Sequence, residues 1–207
     1  MAFENLNELQ ALHIDALTEI GNIGSGNAAT ALATMMNVFV DIAIPTVTIQ
    51  DYEQISELLG GPETPAIGVT LDIAGDLKGK IIHILHPDFA NKLVNTFYPV
   101  EIKCLEDISE MDLSVLSEMG NITSGAYVNA LASLTNLFID IRPPFTQCDT
   151  IKHILDKSIE ALPELGNQML FIDEKLTVSN SEIKSSLVLM LEMDSLKKLF
   201  DRLKIPY

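Results

Sequence analysis

Apolar residues recur at helical spacing near the start of the chain. Leu9, Leu12, Ala16, Ile20 and Ile23 advance by three or four positions and form one stripe. The pattern predicts a long helix over 7–36. Leu113, Leu116 and Met119 begin a second such run after a junction at 107–112, where Asp107 or Ser109 is a candidate helix cap. Aliphatic and β-branched runs bounded by turn residues predict strands near 66–74, 80–85, 168–178 and 183–192. Helical patterns near 88–97 and 194–203 close each set.

The same order therefore occurs twice, and the letters agree. Residues 17–37 read LTEIGNIGSGNAATALATMMN, and residues 116–136 read LSEMGNITSGAYVNALASLTN. They align without a gap at an offset of 99 residues, with Glu19/Glu118, Gly21/Gly120, Asn22/Asn121, Ser25/Ser124, Gly26/Gly125 and Asn37/Asn136 identical. VFVDIAIP at 38–45 then aligns with LFIDIRPP at 137–144. Each half reads α-β-α-β-β-α. The expected fold is α/β (α+β): a two-layer, internally duplicated, pseudo-two-fold fold with the long motif helices packed on β-sheet. It should form a single domain made of two repeats, about 1–106 and 107–207. Pro45 and Pro144 are expected to end their strands or mark an edge, and the halves diverge after them, PTVTIQDY against PFTQCDTI.

Composition narrows the partners. Of 207 residues, 47% are hydrophobic, enough for a substantial core. Thirteen basic residues face 29 acidic ones, a net charge of −16. That argues against nucleic acid and against an anionic membrane surface, since both are bound through clustered Lys and Arg. It is compatible with a basic protein partner. No apolar run approaches the ~20 residues that span a bilayer, and the first residues lack the charge and hydrophobic pattern of a signal peptide, so a cytoplasmic location is expected. Cys104 and Cys148 have no metal-site spacing, and the four His are scattered. GNIGSG is a poor phosphate-cradling loop: no strand precedes it, no GKS or GKT follows, and the second copy has Thr123 at the position of Gly24.

The candidate chemistry lies on the two long helices. At 100° per residue, Asp15, Glu19 and Asn22 share an arc of roughly 60° beside the apolar stripe. Ser114, Glu118 and Asn121 occupy the matching places. A polar triad on one amphipathic helix is ordinarily a solvated face; two copies at one spacing, with flanking identity, ask for more. The three glycines Gly21, Gly24 and Gly26 each cost a helix roughly 1 kcal/mol relative to Ala. Close approach of another backbone would explain them, either helix against helix or a docking partner.

The pattern Asp/Ser, three residues, Glu, two residues, Asn, 22 residues, Pro resembles the signature of the CheC/CheX/FliY phosphatase family. It occurs as Asp15, Glu19, Asn22 and Pro45, and again as Ser114, Glu118, Asn121 and Pro144. Two motifs, with no switch domain expected after Tyr207, resemble the CheC type within that family. The resemblance implies removal of phosphate from the aspartyl phosphate of a CheY-type chemotaxis response regulator. Asn22 and Asn121 would hold the attacking water, because a carboxamide accepts and donates at once. Glu19 and Glu118 would pair with the regulator's lysine and orient the Asn on the same face, and Asp15 and Ser114 would assist docking or cap the geometry. No cofactor or metal of the chain's own is implied; Mg²⁺ is expected on the regulator. Members of the family also associate with the receptor deamidase CheD. The alternative is therefore a regulatory binding module for CheD with weak phosphatase activity, for which Phe145 and Asp149 are the candidate surface. A flagellar-switch component is a third, less favoured reading. Because both sites lie in one chain, a monomer is expected.

Overall fold

A computed structural model describes residues 5–162, 168–178 and 181–206 of the chain. The two long helices are α1, Ala11–Met36, and α4, Glu110–Thr135. Their ends follow from local chemistry. At the start of α4 Ser109 caps the helix: its Oγ accepts from the Asp112 N–H at 3.2 Å, and the Asp112 carboxylate accepts from the Ser109 N–H at 2.8 Å. Before α1 the Gln10 N–H donates to Nδ1 of His13 at 2.9 Å. Residues Leu6–Glu8 form a separate 3₁₀ turn, so α1 begins later than the apolar stripe alone suggests. Both helices end on the identical residue of the repeat. Asn37 and Asn136 take left-handed φ values of 52° and 54°, a conformation asparagine tolerates better than other residues with a Cβ.

After α1 come β1 (Val40–Ile42), β2 (Thr46–Asp51), α2 (Tyr52–Leu58), β3 (Pro65–Gly75), β4 (Gly79–Leu85) and α3 (Pro87–Val94). After α4 come β5 (Ile139–Ile141), β6 (Phe145–Thr150), α5 (Ile151–Ala161), β7 (Gln168–Val178), β8 (Ser181–Leu191) and α6 (Met193–Leu203). The pattern of hydrophobic positions anticipated one strand per motif, and each motif in fact has two. The reason is the proline. Pro45 has no N–H to donate, so the ladder along β7 breaks after Ile42↔Leu176 and resumes at Thr46↔Asp173. In the other half the ladder along β3 breaks after Ile141↔Ile73 and resumes at Phe145↔Thr70. The Ala43 N–H to Lys175 carbonyl bond in one break matches Arg142 N–H to Asp72 carbonyl in the other.

These pairings cross between halves. The hairpins β3–β4 and β7–β8 join through β4 and β8 into one antiparallel sheet of eight strands. The motif strands β1 and β2 of the first half complete the second half's hairpin at β7. Those of the second half, β5 and β6, complete the first half's hairpin at β3.

Alternation along the strands sorts the sheet's faces. Val69 and His83 face α4, where a Cβ on Gly120 would come 2.6 Å from Val69 Cγ1 and 3.6 Å from His83 Cδ2. The intervening Gly68 faces α5, where its missing Cβ makes room for Ile154. The long helices thus lie side by side on one face, and α5 lies on the other with α2 beside it. α3 packs on α4, and Phe200 of α6 meets the buried His13 ring edge-on at 4.6 Å between centroids.

Candidate functional site

Helix α1 turns Leu17, Ile20, Gly21, Gly24, Ser25 and Ala28 toward the sheet and α4. The face left outward carries Asp15 and Glu19, both exposed, and Asn22, half-buried. Helix α4 repeats this: Leu116, Met119, Gly120, Thr123 and Ser124 are buried, Ser114 and Glu118 are exposed, and Asn121 is half-buried. The sequence-derived triads are therefore two surface rows with matched exposure, one on each helix.

The local supports of the two rows differ. Pro45 is buried against α1: a Cβ on Gly21 would lie 3.3 Å from Pro45 Cγ and 3.4 Å from Val47 Cγ2. Gly21 thus lets the chain break at the proline settle directly against α1, at the residue before Asn22. In the second row Pro144 is only half-buried, and Thr146 replaces Val47. Thr146 Oγ1 instead meets Ser117 Oγ of α4 at 2.5 Å, fastening β6 to the motif helix through a polar pair. The carboxamides differ as well. Oδ1 of Asn22 is buried without a hydrogen-bond partner among the described residues. A buried acceptor left without a partner costs about 1–3 kcal/mol, so this amide calls for a reason.

Beneath the rows lies buried polar chemistry that the sequence pattern did not single out. Ser25 Oγ donates to Glu174 Oε1 at 2.8 Å and lies 2.7 Å from the Tyr127 hydroxyl, which also donates to Glu174 Oε1. Burial first of all, against the pull of those two donors, holds the Glu174 carboxyl above its ordinary range. Burial, joined by the Glu174 charge and hydrogen bond, raises the Tyr127 phenol. At the matching serine of the repeat, Ser124 Oγ lies 2.9 Å from His83 Nε2, with Thr123 Oγ1 at 3.1 Å. Complete burial lowers the His83 imidazole to about 4, so it is neutral at pH 7. The only hint in the sequence was that Ser25 and Ser124 coincide within the repeat. Glu174 and His83 come from strands far away in the chain.

Phe145 and Asp149 lie on β6, away from the helix rows. Phe145 is 61% exposed, while Asp149 accepts from His153 Nδ1 at 2.8 Å and from the Thr150 N–H, contacts that hold its carboxyl low. No group of three or more His, Cys, Asp or Glu among the described residues could hold a metal ion. No described helix is long and apolar enough to cross a membrane.

The model of the CheC-like family matches residues 12–49 and 111–147, which are the two motif helices and the strands that follow them. Over these two segments the chain is similar to the CheC-like family. Over 198 residues it is 28% identical to the CheY-P phosphatase CheC of Bacillus subtilis, covering 94% of this chain and 95% of that protein. Over 140 residues it is 29% identical to the flagellar motor switch phosphatase FliY of the same organism, covering 67% of this chain but only 36% of FliY. Among solved structures, Thermotoga maritima FliY superposes with a TM-score of 0.72 at 22% identity, over 95% of this chain and 98% of that one. At that identity the superposition speaks for the fold alone.

Proposed function

We propose that this CheC-like chain hydrolyses the aspartyl phosphate of a CheY-type response regulator, using one site on each long helix. The observation that carries the reading is the doubled Glu–Asn row: Glu19 with Asn22, and Glu118 with Asn121, at one spacing, with matched exposure, on rigid helices. The full-length similarity to a CheY-P phosphatase supports it.

An aspartyl phosphate is an acyl phosphate. Water attacks phosphorus in line, the bond between phosphorus and the carboxylate oxygen breaks, and the aspartate leaves as a carboxylate while inorganic phosphate takes up the water's oxygen. The Mg²⁺ and lysine expected on the regulator balance the phosphoryl charge. The CheC-like chain then needs to supply only position. An asparagine carboxamide can accept from the water and donate to a neighbouring oxygen, without acting as a strong base. Glu19 and Glu118, exposed one turn earlier on the same faces, are placed to meet a lysine of the partner and so fix the amide over the phosphorus.

The test is the decay of a phosphorylated CheY-type regulator with and without the protein, for wild type, Asn22→Ala, Asn121→Ala and the double variant. The reading predicts faster decay with wild type and none of that acceleration with the double variant. Unchanged decay with wild type would remove it.

A second reading has its own observation. Strand β6 pairs only with β3 among the described strands and leaves Phe145 exposed at its start. An exposed aromatic on a sheet edge is a ready protein-binding feature. On this reading β6 holds the deamidase CheD, and hydrolysis is secondary. Asp149→Lys should then abolish CheD binding while leaving regulator decay unchanged; retained binding would rule this surface out.

A further inference from the structure

Three glycines interrupt the first motif helix, and only two have a use inside the molecule. A Cβ on Gly24 would sit 2.5 Å from the Tyr127 ring, and one on Gly21 would press on Pro45. A Cβ on Gly26 would meet nothing within 4 Å. The same holds in the second helix, where a Cβ on Gly125 would find only Ile141 Cδ1, at an unstrained 3.9 Å. Glycine weakens a helix interior relative to alanine, so an open glycine needs a cause outside the chain.

The two copies sharpen the point. The repeat has changed Gly24 to Thr123, Asn27 to Ala126 and Ala28 to Tyr127, yet Gly26 and Gly125 stay the same in the midst of these changes. On a helical wheel Gly26 falls within the roughly 60° arc that Asp15, Glu19 and Asn22 occupy, one turn beyond Asn22. Asn22, whose Oδ1 is buried without a hydrogen-bond partner among the described residues, lies in that arc.

We infer that Gly26 and Gly125 are clearance positions, where the missing Cβ lets the phosphate-bearing loop of the regulator lie against the helix backbone beside the water-holding amide. This rests on the phosphatase reading and adds a specificity-determining residue to each site. The glycine itself does no chemistry; it sets how near the phosphorus comes to the amide. Errors of about 1 Å in such placement can cost a hundredfold in rate.

The test uses the full chain with Gly26→Ala and Gly125→Ala combined, and Thr34→Ala, an exposed α1 residue outside the arc, as control. Three quantities are read: the melting temperature, the affinity for a CheY-type regulator activated with beryllofluoride and Mg²⁺, and the decay of the phosphorylated regulator. The double alanine variant should melt higher, by roughly 3 °C, because it removes two helix glycines whose added Cβ would meet no strained contact. It should nonetheless bind the activated regulator about tenfold more weakly and hydrolyse about a hundredfold more slowly, while the control matches wild type in both. Higher stability with unchanged binding and unchanged decay would overturn the inference. So would lower stability, because the glycines would then be serving internal packing. If wild type binds the activated regulator without speeding its decay, the phosphatase reading falls and the affinity comparison still decides the glycines. If wild type does not bind at all, both fall.

Discussion

Gly24 of one motif helix lies so close to the ring of Tyr127 on the other that a Cβ there would sit 2.5 Å from Cδ1 and 2.9 Å from Cγ. The ring has little freedom to retreat, since its hydroxyl is held by Ser25 and Glu174 inside the core. The pseudo-symmetric positions are Thr123 and Ala28, so α1 carries the smaller residue at both positions and α4 the larger.

Gly24→Ala should therefore destabilise the protein despite alanine's better helix propensity. Overpacking of this kind costs about 1–3 kcal/mol. A fall in the urea midpoint with an unchanged slope is the expected result. A midpoint at or above wild type would mean that α1 and α4 can slide apart at no cost.

The buried carboxyl of Glu174 predicts a pH dependence of definite sign. Burial raises its folded pKa above the ordinary 4.5, so between those two values the folded state holds a proton that the unfolded state has lost. The stability contributed by this group is full below about 4.5 and is lost as pH rises through the folded pKa. Glu174→Gln keeps a neutral acceptor for Ser25 and Tyr127 and cannot ionise. Urea midpoints of the variant should decline less than those of wild type toward alkaline pH. Parallel profiles would show that the carboxylate is accommodated ionised.

His83 works in the opposite direction. Its folded pKa is about 4 against 6.5 for the free group. Between these values the unfolded chain binds the proton and the folded chain does not. Stability is therefore full above about 6.5, falls as pH drops toward 4, and loses no more from this group below that. The whole loss is at most about 3 kcal/mol. His83→Leu removes the titration. It leaves Thr123 Oγ1 still donating to the Met119 carbonyl, 3.0 Å away. The variant should flatten the profile between pH 4 and 6.5; an unchanged acid limb would assign the loss to other groups.

These buried groups also mark where reading the chain stops. The amphipathic stripe located both motif helices, and the repeat located both candidate rows, because 3.6-residue periodicity and internal identity are properties of neighbouring residues. The hairpins were legible in the same way, within a few residues of β3, β4, β7 and β8. Strands β2 and β6 were not. TVTIQD and FTQCDT carry mixed patterns, and they are strands because β7 and β3 continue past the proline break and offer them a ladder. The partners of Ser25 and Ser124 were hidden for a related reason. Glu174 and His83 reach them only once each long helix covers the joined sheet, a contact that no local spacing encodes. The glycines divided likewise: a sequence shows their cost, and only coordinates show which of them face Tyr127, Pro45 or open space.

The crossing of motif strands makes a last prediction about the halves. Residues 1–106 contain β1 and β2 but not β7, the strand that both pair with. Residues 107–207 contain β5 and β6 but not β3. A separated half also loses the β4–β8 seam and uncovers the apolar side chains beneath it, such as Ile82 and Val188. Exposing that surface at about 25 cal/mol per Å² leaves too little to offset the chain entropy of either fragment. Each half expressed alone should lack a cooperative thermal transition as a monomer. Mixed at equal concentration, the two should form a one-to-one complex that unfolds cooperatively and recovers both Glu–Asn rows. A half that unfolds cooperatively as a monomer would show that its hairpin and long helix suffice, and that strand exchange adds to the fold without being required by it.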